Sequence, residues 1–272
     1  MPELQNLKKK LRSIRSTQKL TKAMKTVSTV KFSKLNGIYG QHIQYNRQCR
    51  DMASSYGSEF SAVYPVKDEN APSLLVVFTS NKGLCGSFNS EIVSFALNEK
   101  EKRENCLILS VGKKGSSYLK AKGAEIFEEY LLSDVPSYEE SSALFEKIEK
   151  WRSEGTVSEV YAVYPEYRNI MKQTPEIVQL LSSDGEGNEE SIVFVPDRKT
   201  VIENAAKTVY HDIFYEIVLE SALGAQAATL TTMRAAYDTA TEYCAELEGQ
   251  INRLRQSAVT SDVIETSAEV SE

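Results

Sequence analysis

The residue types that most often perform catalysis are sparse in this chain. The sequence contains two histidines, His42 and His211, and neither has cysteine or carboxylate residues at metal-ligand spacing. Both are therefore interpreted as packed or solvated helix residues. Ser87 follows a glycine, but its neighbours do not form the Gly-x-Ser-x-Gly turn of hydrolases. We expect no catalytic residue, no metal site and no cofactor.

A glycine-containing segment from Ser80 to Asn89 is the next candidate for chemistry. It follows the apolar run Ser73–Thr79, where a nucleotide-binding turn would lie in an α/β domain. The phosphate-binding patterns Gly-x-x-x-x-Gly-Lys-Ser/Thr and Gly-x-Gly-x-x-Gly are both absent. A tight turn before a helix is the favoured interpretation, and a nucleotide site the weaker one.

The N-terminal charge pattern points to a partner. Residues 4–50 contain 12 Lys and Arg and no acidic residue, so the rest of this chain of net charge −6 carries −18. Such segregation describes a surface that meets something acidic. Lys and Arg also neutralise nucleic-acid phosphates, which keeps nucleic acid open as an alternative. Few aromatic residues are interleaved for base stacking, and this favours a protein partner.

Proline placement predicts the elements that position these residues. The prolines lie at positions 2, 65, 72, 136, 165, 175 and 196, so two long proline-free segments flank a proline-bearing middle. Because proline breaks helix interiors, we expect long terminal helices around a compact domain. The predicted division is residues 1–64, 65–197 and 198–272. A second helix from about Lys199 to Glu265 would be on the order of 100 Å long.

Both terminal segments carry heptad-like apolar spacing, which predicts an antiparallel coiled coil. In the first segment the seam turns polar at Gln18 and Thr21, while Leu20, Met24 and Val27 are expected to form a shifted apolar face. The apolar positions of the two segments are Leu4, Leu7, Leu11 and Ile14, and then Met233, Ala236, Ala240, Cys244, Leu247, Ile251, Leu254 and Ala258.

The middle segment alternates β-rich and helical runs, which predicts a Rossmann-like α/β domain with a largely parallel sheet. The last two strands, Ile177–Leu181 and Ser191–Val195, are expected to form a hairpin through the turn at Asp184–Asn188. The other predicted strands are Ser73–Thr79, Cys106–Val111, Glu125–Tyr130 and Ser158–Tyr164, and the predicted helices are Phe88–Lys102, Lys113–Lys122 and Tyr138–Arg152.

Composition limits the compartment. The longest apolar run, Leu74–Phe78, is too short to span a bilayer, so we expect only indirect membrane contact. No apolar block typical of a signal peptide follows the first lysines, and a mitochondrial transit peptide is a weaker alternative. The four cysteines are widely spaced, which is typical of reduced, buried side chains.

Four motifs in order carry a resemblance to a known family. The motifs are Arg15–Met24 (RSTQKLTKAM), Ser80–Asn89 (SNKGLCGSFN), Val111–Gly115 (VGKKG) and Asn252–Thr260 (NRLRQSAVT). Through them the chain resembles the gamma subunit of F-type ATP synthases from about Leu4 to Glu265. Their common order and separations are far more specific than any one motif.

This resemblance implies a function that spacing alone does not give. A gamma subunit is the central rotor shaft, with its coiled coil inside a ring of alpha and beta subunits. Its α/β foot stands on the membrane rotor ring of c subunits, beside the epsilon subunit. Ion flow, of protons or sodium, turns the shaft, and ATP chemistry occurs on the beta subunits. The resemblance implies a non-catalytic, peripheral subunit at the cytoplasmic face of a bacterial plasma membrane, with no nucleic-acid partner.

The resemblance also implies roles for particular residues. Arg255 and Gln256 match a pair that hydrogen-bonds an acidic catch loop of a beta subunit. Met24 and Lys25 lie where the first helix passes the acidic lever loop of the beta subunits. The foot segment is expected to have a structural role or to contact another rotor subunit; its matching residues are Lys82, Gly83, Leu84, Cys85, Gly86 and Asn89.

Two segments depart from the family pattern, Thr26–Lys31 on the first helix and Gly224–Leu230 on the second. The second lacks the usual Glu and Arg, and a glycine costs about 1 kcal/mol in a helix interior. Two alternatives stay open: a divergent rotor paralogue of a specialised ATPase, and a basic coiled-coil module that binds nucleic acid. A free-standing enzyme would need a ligand pocket in the α/β domain.

Overall fold

A computed structural model describes residues 2–182 and 194–269. Within these residues the chain forms six helices and five strands. The helices are α1 (Pro2–Ser55), α2 (Gly57–Val63), α3 (Phe88–Glu101), α4 (Lys113–Ala121), α5 (Tyr138–Glu154) and α6 (Arg198–Glu269). The strands are β1 (Ser73–Phe78), β2 (Cys106–Val111), β3 (Glu128–Tyr130), β4 (Val160–Asn169) and β5 (Lys172–Leu180).

The chain groups into two compact units. The coil unit contains the described residues up to Val27 and from Leu230 onward, and the sheet unit contains Ser28–Thr229. The three predicted segments, 1–64, 65–197 and 198–272, are continuous in sequence. The two compact units instead group residues that pack together in space. Parts of both α1 and α6 therefore belong to the sheet unit.

In the coil unit α1 and α6 pair antiparallel, as predicted. Gln18 Nε2 donates to Thr241 Oγ1 at 2.8 Å, and Arg15 Nη2 donates to Glu248 Oε1 at 2.7 Å. The residue numbers rise along one helix as they fall along the other. The apolar centre consists of Leu11, Cys244 and Leu247, with Leu7, Ile14 and Ile251 packed against it. The heptad spacing of both segments thus forms the predicted seam.

The predicted shift to a new apolar face on α1 is wrong for Leu20 and Val27, whereas Met24 is half-buried. Leu20 and Val27 are 59% and 56% exposed, whereas Thr21 is buried. The original heptad positions continue with polar residues, and the Thr21 hydroxyl satisfies itself by donating to the carbonyls of Thr17 and Gln18. A threonine that bonds its own helix can occupy a seam position, because burial then leaves no polar group unpaired.

The sheet unit contains a mixed sheet in the order β3-β2-β1-β4-β5. The first four of these strands are parallel, and β5 pairs antiparallel with β4. Every residue of β1 is buried, which explains its continuous apolar run, because a central parallel strand is covered on both faces. The Rossmann-like prediction is confirmed.

Alternate side chains of β1 enter two separate cores. Leu75 and Val77 pack with Ile92 of α3 and Leu119 of α4 on one face. On the other face Leu74, Val76 and Phe78 pack with α5 and α6. The Phe214 ring of α6 lies 5.9 Å from the Phe78 ring and 4.9 Å from the Phe145 ring of α5. Helix α6 is therefore part of the core in the sheet unit, buried at every position from Phe214 to Ser221.

The sheet edge contains a hairpin that the sequence pattern did not predict. Of the predicted hairpin, the turn at Asp184–Asn188 and residues 191–193 of the second strand lie outside the described residues. The observed hairpin joins β4 to β5 and places Pro165 opposite Pro175. Prolines usually mark strand ends, but the pairing of β4 with β1 ends at Val163, so Pro165 has a strand neighbour on one side only.

Candidate functional site

The coil residues implied as contact sites lie at two separate levels. Lys25 is half-buried, with its ammonium 5.6 Å from the centre of the Tyr237 ring. Arg255 and Gln256 lie 18 and 19 residues beyond Tyr237 on α6, so about 27 Å separates the two levels along the helix at 1.5 Å per residue. The structure therefore does not bring the two pairs together.

Arg255 and Gln256 are both exposed on α6. Among the described residues, 2–182 and 194–269, no hydrogen bond or ion pair involves the Arg255 guanidinium. The neighbouring Arg253, by contrast, donates from Nε to the Gly249 carbonyl at 3.4 Å. The Arg255 fork is thus available for a carboxylate, the group whose geometry it matches best.

The segment Ser80–Asn89 forms a closed loop at the carboxyl edge of the sheet, between β1 and α3. The buried Asn89 amide holds it, accepting from Ser80 N at 3.0 Å and donating to Cys85 Sγ at 3.1 Å. Leu84 and Gly86 adopt positive φ angles of 67° and 61°. For Leu84 this conformation costs about 1–2 kcal/mol, because the side chain crowds the following carbonyl. The loop is held in shape by its own side chains.

The first-turn amides of α4, which follows β2 at the same edge of the sheet, are occupied by acceptors at Thr79, Ser80 and Asn81. In the first turn of α4, Lys113 N donates to Asn81 Oδ1 at 3.4 Å and Lys114 N to Ser80 O at 3.1 Å. Gly115 N donates to Thr79 Oγ1 at 3.0 Å. A free helix N-terminus attracts anions, but here the protein supplies the acceptors itself. These bonds tie α4 to the end of β1 and to the start of the Ser80–Asn89 loop.

A close approach between β1 and α4 explains the glycines of the Val111–Gly115 motif. A Cβ atom on Gly115 would lie 2.3 Å from Thr79 Oγ1, and one on Gly112 would lie 2.3 Å from the Thr79 carbonyl oxygen. Gly112 also has a φ of 107°, which residues with side chains rarely adopt. The motif therefore specifies packing at this edge of the sheet.

Both histidines join helices within the sheet unit. His211 Nδ1 lies 2.9 Å from Ser142 Oγ, and Glu149 Oε2 lies 3.6 Å from Nε2 of the same ring. His42 Nε2 lies 3.2 Å from the Asp212 carbonyl oxygen. Among the described residues, no group of three potential metal ligands comes together.

Sequence reasoning missed a buried carboxylate pair on α6. Glu216 and Glu220 are one helical turn apart and both are buried. Arg50 of α1 donates to Glu216 Oε2 from Nε at 3.2 Å and from Nη2 at 2.9 Å. Glu220 Oε1 accepts from the Tyr167 backbone N at 2.6 Å. Acidic residues four apart within the apolar run from Phe214 to Leu223 were the signal for this pair.

A surface groove of about 500 Å³ opens on α1 beside this ion pair. Its lining residues are Ile43, Gln44, Arg47, Arg50, Asp51 and Glu216.

The fold itself is that of ATP synthase central-stalk subunits. One similar structure is the Euglena gracilis mitochondrial ATP synthase in rotational state 3, with a TM-score of 0.69, 16% identity, and coverage of 99% of this chain and 94% of that chain. Another is the central stalk and c-ring of Tetrahymena thermophila mitochondrial ATP synthase, with a TM-score of 0.57, 21% identity, and coverage of 80% and 99%.

Sequence comparison gives the family. Residues 3–268 match the family model described as ATP synthase. The ATP synthase gamma chain of Clostridium beijerinckii is 35% identical over 219 residues, covering 79% of this chain and 77% of that protein. A Clostridium botulinum gamma chain is 33% identical, with coverage of 76% and 75%. This chain belongs to the ATP synthase gamma chain family.

Membership has direct consequences for function. A gamma chain is a non-catalytic, peripheral stalk subunit of a membrane-associated complex, and neither the rotor-paralogue alternative nor the nucleic-acid alternative is favoured by these matches. Among the described residues no helix combines the length and apolar composition needed to cross a membrane.

Proposed function

We propose that this chain is the rotating shaft that couples a membrane ring of c subunits to the beta subunits of an alpha–beta hexamer. Residues 1–64 and 198–272 supply the coil-forming helices, and residues 65–197 supply the foot, which contacts the c ring and an epsilon subunit. The complex lies at the cytoplasmic face of a bacterial plasma membrane. The similarity to clostridial gamma chains supports this assignment.

Two levels of the coil contact beta subunits in this proposal. Arg255 and Gln256 bind a carboxylate-bearing loop, and Met24 and Lys25 pass a second acidic loop. The observation that carries the proposal is the exposed Arg255 guanidinium, which lacks a partner in the described parts of the chain. A rotor that offers this fork to one beta subunit at a time favours different conformations in turn, because coupling requires unequal contact with different states.

The foot loop from Lys82 to Asn89 keeps a structural role, or contacts another rotor subunit, in this proposal. The hydrogen bonds of Asn89 inside the loop support the structural alternative. Leu84, 53% exposed at the loop surface, supports the contact alternative.

Substitution of Arg255 in the assembled complex tests the proposal. Arg255→Ala removes a charge-assisted hydrogen bond worth about 1.5–3 kcal/mol, so ATP turnover coupled to rotation should fall severalfold. Arg253→Ala is the matched control, because it removes the same charge two residues away on another face of α6. Urea unfolding of both variants, followed at Trp151, should match that of the unmodified chain.

Unchanged coupled turnover and rotation in Arg255→Ala would contradict the assigned role of this residue.

Purification of the native chain tests the partners directly. We expect alpha and beta subunits to accompany it, whereas salt-sensitive, sub-micromolar binding to generic DNA would contradict the proposal.

A further inference from the structure

Within the sheet unit, α6 and the C-terminal part of α1 both enter the core beneath the sheet, α1 through Cys49 and Ala53. Helix α6 contributes Phe214, Ile217 and Val218 to the core beneath the sheet. Between Ser28 and Tyr39, α1 instead packs on α6 through Leu35. This part of α1 meets the α/β domain at two apolar residues, Val135 in the β3–α5 loop and Tyr167 in β4.

A charged contact adjoins these apolar ones. The Asp134 carboxylate, also in the β3–α5 loop, receives the ammonium group of Lys31 from α1. The same Oδ2 atom accepts from Lys82 Nζ of the β1–α3 loop at 3.0 Å. The two loops are further joined by Asn81 Nδ2, which donates to the Leu132 carbonyl at 2.6 Å. Asp134 thus connects three separate segments of the chain.

The surroundings of Asp134 favour its charged form. Its side chain is 21% exposed. Burial by itself would raise the pKa of this carboxyl, but the Lys31 and Lys82 ammonium groups outweigh burial, and the pKa of Asp134 lies below its ordinary value. The contact therefore persists at neutral pH.

Directionality separates this contact from the apolar ones beside it. Apolar packing resists separation, but it is non-directional and allows surfaces to slide. A charge-assisted hydrogen bond is directional, and a shielded one fixes register. In a rotating shaft the load between the domain and a helix acts across the helix axis, in the direction of sliding.

We propose that Asp134 is a positioning residue for rotary coupling: it fixes the Ser28–Tyr39 part of α1 against the α/β domain, so that torque enters this part of the helix without slippage at the Val135 and Tyr167 contacts. This inference rests on the rotor function proposed above. Lys31 is its partner on the helix. Lys82 stabilises the same carboxylate from the β1–α3 loop.

The test uses the assembled complex with variants at these positions. Asp134→Asn keeps the shape of the side chain and removes its charge. We expect at least a twofold fall in ions pumped per ATP hydrolysed, with ATP hydrolysis itself retained, because hydrolysis occurs on other subunits. Asp134→Glu should restore most of the coupling, and Lys31→Met should reproduce the loss.

Two lysines provide matched controls. Lys82→Met leaves the link between α1 and Asp134 intact, so its effect should be smaller than that of Lys31→Met. Lys34→Met removes a charge from an exposed position of the same helix and should have no effect. Equal coupling in Asp134→Asn and the unmodified complex would overturn the inference, as would equal effects of Lys31→Met and Lys34→Met.

A distance measurement in the isolated full-length chain tests the Asp134 contact with α1 separately from the rotor function. Spin labels at Lys34→Cys and Glu139→Cys report the position of α1 relative to α5. Asp134→Asn should broaden the distance distribution, and Asp134→Glu should return it towards that of the unmodified chain. An unchanged distance distribution would overturn the positioning role of Asp134. An unmodified complex that does not couple rotation to ATP synthesis or hydrolysis would instead overturn the rotor function.

Discussion

Neutralising Glu220 is expected to stabilise the protein above neutral pH. Glu220 is 7% exposed, and its Oε1 atom accepts from Tyr167 N at 2.6 Å. Burial above all, together with the nearby Glu216 and Glu166 carboxylates, raises the pKa of Glu220 to about 7, against the lowering effects of the Tyr167 amide and Arg50. Arg50 pairs with Glu216, and Glu220 forms no ion pair among the described residues.

The size and sign of the effect follow from proton linkage. A carboxyl whose pKa is near 4.5 when unfolded and about 7 when folded retains its proton in the native state between these values. The native state then binds more protons than the unfolded state, so stability falls as pH rises through this window. A tenfold change in proton affinity is worth about 1.4 kcal/mol, so the full cost above pH 7 is about 3 kcal/mol.

Glu220→Gln imitates the protonated acid at every pH and can still accept from Tyr167 N. We expect its free energy of unfolding to match that of the unmodified chain near pH 4.5 and to exceed it by up to about 3 kcal/mol at pH 8. Urea unfolding at several pH values, followed by fluorescence, measures this. Trp151 is the chain's one tryptophan and packs against the core beneath the sheet, so it reports the sheet unit.

Glu216→Gln is the matched control, since it should lower stability at pH 8 by weakening the Arg50 ion pair. Burial also raises the pKa of Asp212, which leaves some pH dependence of the same sign in both variants. The reasoning fails if Glu220→Gln has the same stability as the unmodified chain at pH 8, or the same slope between pH 5 and pH 7.

Two glycine substitutions are expected to change stability in opposite directions, and urea unfolding measures both. Gly224→Ala should raise the free energy of unfolding by up to about 1 kcal/mol, because a Cβ atom would sit in ordinary contact at 3.4 Å from Gln173 and Pro165; destabilisation would show that this site is already full. Gly115→Ala should lower it by about 2 kcal/mol or more, because its Cβ would overlap Thr79; a neutral result would show that β1 and α4 separate easily. Gly37→Ala, with nothing within 4 Å of the added atom, controls for helix propensity.

The long helices could be predicted because their signals are local. A lack of proline and a repeat of three and four residues act within one helix, so α1 and α6 were identifiable. The bounds of α6 are close to those predicted, whereas α1 ends at Ser55 and a separate helix, α2, continues to Val63. The strands β1 and β2 were equally clear, because buried parallel strands are continuously apolar. The β4–β5 hairpin was missed because proline is a local signal, whereas its tolerance depends on which strands lie beside it.

The candidate sites divide in the same way. The motifs around Arg255 and Lys82 were visible as ordered residue types, and they sufficed to indicate the family. Which of these groups is engaged is a tertiary property: the Arg255 guanidinium is exposed, whereas Lys82 shares Asp134 with Lys31.

The sequence by itself determined the helical arms, the alternating α/β middle and the family. The tertiary structure alone decided how charged residues are paired inside the fold. Lys31 and Asp134 are 103 positions apart, and Arg50 and Glu216 are 166 apart. No periodicity spans such separations, because the energy of a buried charge depends on the groups that the whole fold places around it.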